Sequence, residues 1–166
     1  MLRIAFTGTH STGKTTLCDA LSEEFGISKI TNITRDTPKF LRGTKTGQEL
    51  VLTNYLFKVP RLEGDYIIDR TLMDIIAYSR DAKLDWSDTM VHGLMKFYRD
   101  SDFYPTHIFY LPIEFDLVQD GERPGNDNRA NVDMHIQELL NYVPTYYTIT
   151  GSVEERLEKI RHVIRR

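Results

Sequence analysis

The stretch Ile4-Ala5-Phe6-Thr7-Gly8-Thr9-His10-Ser11-Thr12-Gly13-Lys14-Thr15-Thr16-Leu17 decides the fold of this 166-residue chain. Ile4 to Thr7 is a short run of strand-forming character that ends on a glycine. Thr15 to Phe25 follows with Leu17, Leu21 and Phe25 at i, i+4 and i+8, which is one face of a helix, and Gly26 closes it. Between them, Gly8 to Thr15 satisfies G-x-x-x-x-G-K-[S/T] in full, in the strand-before, helix-after context that the pattern requires. The glycines allow torsions that turn successive N–H groups inward beside the positive end of the helix dipole. The segment therefore reads as a P-loop, a cradle for phosphate.

Within it Gly8, Ser11, Thr12, Gly13, Lys14, Thr15 and Thr16 are the candidates for holding a nucleotide. Lys14 supplies a point charge at the β and γ phosphates, and the Thr15 hydroxyl is a ligand for Mg²⁺, so ATP and Mg²⁺ are the implied cofactors. His10 reads as a solvent-facing filler of the loop.

Outward from the loop, the signals alternate. Ile27 to Ile33 reads as a second strand, Tyr66 to Ile68 and His107 to Leu111 as buried strands, and Tyr146 to Thr150 as a last short one. Helical patterns cover Gln48 to Val59, stopped by Pro60, then Leu72 to Ser79, Ser87 to Tyr98, Val132 to Tyr142 and Ser152 to Arg166. Ser152 and Glu155 form a capping box, and Val153, Leu157, Ile160 and Ile164 mark the core face of the final helix. The basic residues Arg156, Lys159, Arg161, Arg165 and Arg166 read as complements to its negative end. This order implies an α/β domain with a mostly parallel sheet, one domain over 1–166.

Composition narrows the classes. With 40% hydrophobic and 27% charged residues the chain is an ordinary globular protein, and a net charge of -3 provides no global field for nucleic acid or membrane. Cys18, alone, has no internal disulfide partner, and the N-terminal apolar run is too short for a secretory or spanning segment, so a cytoplasmic location is expected. No N-K-x-D motif of a GTPase occurs.

The third strand ends in Ile67-Ile68-Asp69-Arg70-Thr71, which puts a carboxylate at the C-terminal edge of the sheet, where open α/β folds bind ligands. Asp69 is suited to holding Mg²⁺ or accepting a proton, and capping the next helix is its alternative role. Asp69 to Tyr78 resembles the D-R-x-x-x-D-x-x-A-Y segment of small nucleoside and nucleotide kinases related to the ribosylnicotinamide kinase domain, a group common in phages, and also the D-R segment of thymidylate kinases. Asp120-Gly121-Glu122-Arg123 is similar to the D-G-x-R signature of the same group.

The resemblance covers nearly the whole chain. It implies a three-layer αβα sandwich of the nucleoside-monophosphate-kinase type, with about five strands and a short lid over roughly 115–131. If a phage encodes the chain, the location becomes the host cytoplasm. The residues themselves agree with a lid: Glu122 to Asn131 is polar and breaker-rich, and Arg123 and Arg129 are candidate catalytic groups beside Lys14 and Asp69. A guanidinium placed over a phosphoryl group in flight stabilises the transition state more than the ground state.

For the acceptor, Thr34-Arg35-Asp36-Thr37-Pro38 resembles the T-R-E-P segment of thymidylate kinases, whose arginine meets the acceptor monophosphate. The ribosylnicotinamide kinase group carries E-x-x-R here, and this chain has Asn32, which takes no proton from a hydroxyl. The expectation is thus ATP-dependent phosphoryl transfer to a (deoxy)nucleoside monophosphate, with Arg35, Asp36 and Arg70 on the acceptor and a homodimer compatible with the sequence. The alternatives are a nucleoside kinase, a polynucleotide end kinase and an ATPase without acceptor. The aromatics Tyr55, Phe57, Tyr78, Phe97, Tyr98, Phe103 and Tyr104 read as core, with stacking on an acceptor base as their alternative role.

Overall fold

The first strand is buried on both faces because each face meets a helix layer. In the computed structural model, which describes residues 1–30, 36–41, 43–84, 86–114 and 128–165, five strands form one sheet: β1 (Arg3–Thr7), β2 (Ser28–Ile30), β3 (Tyr66–Ile68), β4 (His107–Tyr110) and β5 (Tyr147–Thr148). Their spatial order is β2-β3-β1-β4-β5, and every pairing is parallel. In register, Ala5 lies between Ile68 and Ile108.

Six α-helices are present among the described residues: α1 (Lys14–Phe25), α2 (Lys45–Lys58), α3 (Leu72–Asp81), α4 (Asp88–Arg99), α5 (Arg129–Leu140) and α6 (Val153–Ile164). Alternate strand residues point to opposite faces. Ile4, Phe6, Ile67 and Phe109 therefore pack with Leu17 and Leu21 of α1 and Ile160 of α6. Ala5, Ile68, Ile108 and Tyr110 face the other way, onto Leu72 and Ile76 of α3 and Ile136 of α5. Burying each large aliphatic or aromatic side chain contributes roughly 1.5–3 kcal/mol, and both layers draw on the same strands. The result is the αβα sandwich expected. No helix among the described residues is long and apolar enough to cross a membrane.

Helix ends follow local chemistry. Gly26 caps α1 at φ 63, as expected, and Ser152 and Glu155 make the capping box of α6. Helix α2 begins three residues before the apolar periodicity does, because the Thr44 hydroxyl accepts the Gly47 N–H at 3.1 Å. Helix α5 likewise begins at Arg129 rather than Val132, with the Val132 N–H donating to the Asn128 carbonyl at 3.0 Å and Asn128 bonded to Asp81 of α3. Residues 129–131 are thus helix, which corrects the reading of them as lid loop. Arg156 is a further correction: it is 1% exposed, because positions 156, 153 and 160 share the core face of α6.

Candidate active site

The chain leaves β1 at Thr7 and turns through a loop whose backbone few residues tolerate. Gly8 has φ +147, Ser11 φ 57, and Gly13, the N-cap of α1, φ 90. A Cβ on Gly8 would stand 2.5 Å from the Leu111 carbonyl oxygen. That oxygen is backbone, held where Leu111 N–H donates to Thr7 O at 2.9 Å. Gly8→Ala is therefore expected to destabilise the domain by about 1–3 kcal/mol in urea denaturation, from strain together with overpacking; a change below about 0.5 kcal/mol would show that the loop yields without cost.

Lys14 curls into this loop and is 6% exposed. Its ammonium donates to Gly8 O at 2.6 Å, Thr9 O at 2.5 Å and Thr12 Oγ1 at 3.2 Å. Burial first, and then the positive charge of Arg70, lower its pKa from 10.5 to about 7, against the attraction of Asp74 and Asp69. Between about pH 7 and 10.5 the folded chain thus binds fewer protons here than the unfolded chain does. The penalty for burying the charge is present in full below about 7 and fades as pH rises through that window.

A phosphate brings negative charge and reverses the shift. Nucleotide binding at pH 8.5 is therefore expected to take up about one proton, and affinity to fall as pH rises above about 7. Calorimetry of ADP binding in buffers of different ionisation enthalpy measures the uptake; equal uptake by Lys14→Ala would assign the proton to another group.

At the next strand edge the Thr15 hydroxyl donates to Asp69 Oδ2 at 3.1 Å. Thr15 is exposed and Asp69 partly so. A hydroxyl and a carboxylate oxygen within one hydrogen bond, open to solvent, suit a hard cation that keeps several waters, so these two residues fit Mg²⁺. Asp69 is not the cap of α3. That cap is Thr71, whose N–H and hydroxyl both donate to Asp74 Oδ2, at 2.7 and 2.9 Å.

Asp74 is the residue that sequence reasoning passed over. It is fully buried, and its Oδ1 accepts the Gly8 N–H at 3.1 Å. One carboxylate thus ties Gly8, the first residue of the loop, to the start of α3. The signal was present in the D-R-x-x-x-D spacing, which puts Asp74 three residues after the cap.

His10 reads from the sequence as a solvent-facing filler, and the structure corrects this; Tyr78, one turn further along α3, packs against the core as its spacing implies but also meets His10, whereas Phe97 is 53% exposed and not core. The His10 N–H donates to Tyr78 Oη at 3.0 Å, the His10 Nδ1 lies 2.8 Å from the same oxygen, and His10 is 9% exposed. The Arg70 guanidinium sits over the Tyr78 ring at 5.0 Å, with a buried Nη1 that has no hydrogen-bond partner among the described residues. The loop, Asp69 and Arg70 are therefore brought together at the C-terminal edge of β1 and β3.

Asp36 pairs with Lys58 of α2 at the surface, and Arg129 is buried in the first turn of α5. Arg35 and Arg123, with the Asp120 to Arg123 signature, lie outside the described residues.

No protein-family model and no curated protein matches the sequence. Solved structures do match. A deoxyadenosine kinase from M. mycoides, with products dCMP and a flexible dCDP bound, is 18% identical over 99% of both chains with a TM-score of 0.71. The thymidylate kinase of Candida albicans is 19% identical over 99% of this chain and 91% of its own, at 0.66. The shikimate kinase of Acinetobacter baumannii, in complex with shikimate, is 16% identical over 99% and 93%, at 0.58. The likeness is one of fold: the chain has the nucleoside-monophosphate-kinase-like P-loop sandwich.

Proposed function

We propose that this chain is a kinase of one domain that transfers the γ-phosphoryl group of ATP to a small nucleotide, a (deoxy)nucleoside monophosphate. The observation that carries the reading is the convergence at one sheet edge of the buried Lys14 ammonium, the Thr15–Asp69 pair 3.1 Å apart and the Arg70 guanidinium. Neighbours in fold are named as kinases of nucleosides, nucleotides and shikimate, which supports a phosphotransferase. The Asp69 to Tyr78 segment supports kinship with the ribosylnicotinamide-kinase-like group.

Donor phosphates lie in the loop amides, and Lys14 moves its donors from the Gly8 and Thr9 carbonyls to phosphate oxygens. Thr15 and Asp69 would hold Mg²⁺, which would supply neutralisation of the donor's phosphate charge. A monophosphate acceptor is already an anionic nucleophile; it needs cationic positioning and no general base. Arg70 supplies that at the loop's side, and Arg35 is assigned to the same anion. Arg123, and Arg129 in the first turn of α5, are assigned to the charge of the group in flight.

The first-named neighbour favours a second reading, a nucleoside acceptor, since it is a deoxyadenosine kinase. A coupled ADP-release screen against nucleosides, their 5′-monophosphates and short oligonucleotides separates the two. Turnover with monophosphates is the expected result; turnover with nucleosides alone moves the acceptor to a hydroxyl, and ADP release without any phosphorylated product removes the kinase reading.

A further inference from the structure

The phosphate loop is gripped from inside by Lys14, and the same ammonium has to leave when phosphate arrives, since its donors cannot serve loop carbonyls and phosphate oxygens together. Something else must hold the loop in shape at that moment. Asp74 does so at Gly8. At the opposite end of the loop the structure offers one buried guanidinium from the far end of the chain.

Arg156 stands in the first turn of α6 and is 1% exposed. Its Nη1 donates to the Thr12 carbonyl at 2.6 Å, its Nε to the Gly151 carbonyl at 2.8 Å, and its Nη2 to Glu114 Oε2 at 2.5 Å. The same Glu114 oxygen accepts the Gly151 N–H at 3.1 Å. One planar fork therefore joins three segments: the phosphate loop, the turn between β5 and α6, and the chain four residues beyond β4.

The Thr12 contact has a directional consequence. In a trans peptide the N–H points opposite to the C=O, so a Thr12 carbonyl held toward α6 turns the Gly13 N–H away from α6. Gly13, at φ 90, is free to rotate in ways that other residues are not, and an anchor on its preceding peptide removes that freedom. The paired Glu114 compensates the guanidinium charge, so the contribution of Arg156 to an anion is mainly geometric.

We propose that Arg156, with Glu114 as its partner, is a positioning residue for the phosphate loop: it orients the Thr12–Gly13 peptide so that the Gly13 N–H is preset for a nucleotide phosphate. The inference rests on the reading of the loop as a nucleotide site and not on which acceptor is used. Lysine at 156 keeps a charge but not the fork that meets three acceptors, and Glu114→Gln keeps the shape of the partner while removing its charge.

The test is ADP-Mg affinity by calorimetry, with melting temperature and the Gly13 amide resonance followed in parallel. Arg156→Lys is expected to weaken ADP about tenfold, and Glu114→Gln about threefold, with both proteins folded at the assay temperature and the ADP-induced shift of the Gly13 amide reduced in each. A folded Arg156→Lys that binds ADP as the parent does, with the same Gly13 shift, overturns the proposal. If Arg156→Lys does not fold, Glu114→Gln decides: unchanged affinity overturns it, and the threefold loss supports it. A parent chain that binds ADP but phosphorylates no acceptor removes the kinase reading alone.

Discussion

Lys14→Ala is expected to lower kcat by about 10²–10³-fold, the loss typical for one preorganised donor to developing negative charge. The reason is in the geometry: the ammonium lies within the loop, bonded to Gly8 and Thr9 carbonyls, one short movement from any phosphate that the loop amides hold. Its removal is not expected to unfold the domain, although the side chain is buried. Burial lowers its pKa to about 7, so below that pH its charged form opposes folding, and the alanine variant relieves the cost. The melting temperature should therefore hold or rise at pH 6. Steady-state kinetics and thermal melts check the two halves together. Turnover at the parent rate removes the loop from the mechanism, and a large fall in melting temperature would show Lys14 to be a structural strut.

Asp74→Ala should carry the largest stability effect of any polar change here, about 3–5 kcal/mol. Three donors converge on this fully buried carboxylate, the Gly8 N–H, the Thr71 N–H and the Thr71 hydroxyl. Each buried donor left without a partner costs about 1–3 kcal/mol, and the cap of α3 is lost as well. For a domain whose total stability is about 5–15 kcal/mol, that leaves a marginal fold. Asp74→Asn keeps the volume and at least one acceptor, so it should lose about half as much. Urea denaturation at constant m-value measures both. A loss below about 1 kcal/mol for the alanine variant would mean that water reaches these donors.

Much of this was legible. The strand before Gly8, the helix after it, the Gly26 cap and the Ser152–Glu155 box each depend on residues within a few positions of one another, and local rules read them. Gly8 to Thr15 and Asp69 are singled out in the same way, each at the end of a strand. Two helix starts were misplaced because a polar first turn carries no apolar periodicity: Lys45 follows the Thr44 cap, and Arg129 follows Asn128.

The aromatic and basic residues show where such reading stops. A tyrosine at a helical spacing reads as core, and Tyr55 and Tyr98 are indeed buried against each other, whereas Tyr78 turns its hydroxyl to the amide of His10. Arginines near the end of a helix read as dipole complements, yet Arg156 lies on the apolar stripe and reaches a carbonyl 144 residues away. No periodicity distinguishes these cases, since the partner is supplied by another element.

By itself, then, the sequence determined a loop of P-loop pattern between a buried strand and a helix, in a parallel α/β fold. Those features follow from backbone torsions, side-chain period and the charge of a helix end, all of which act over a few residues. Only the tertiary structure decided what surrounds the loop: Asp74 beneath Gly8, Tyr78 and Arg70 beside His10, Arg156 behind Thr12. These contacts join residues that parallel pairing in the order β2-β3-β1-β4-β5 carries to one edge of the sheet. A parallel sheet aligns the ends of strands distant in sequence, and the site is assembled there because that alignment, unlike the loop, is a property of the whole fold.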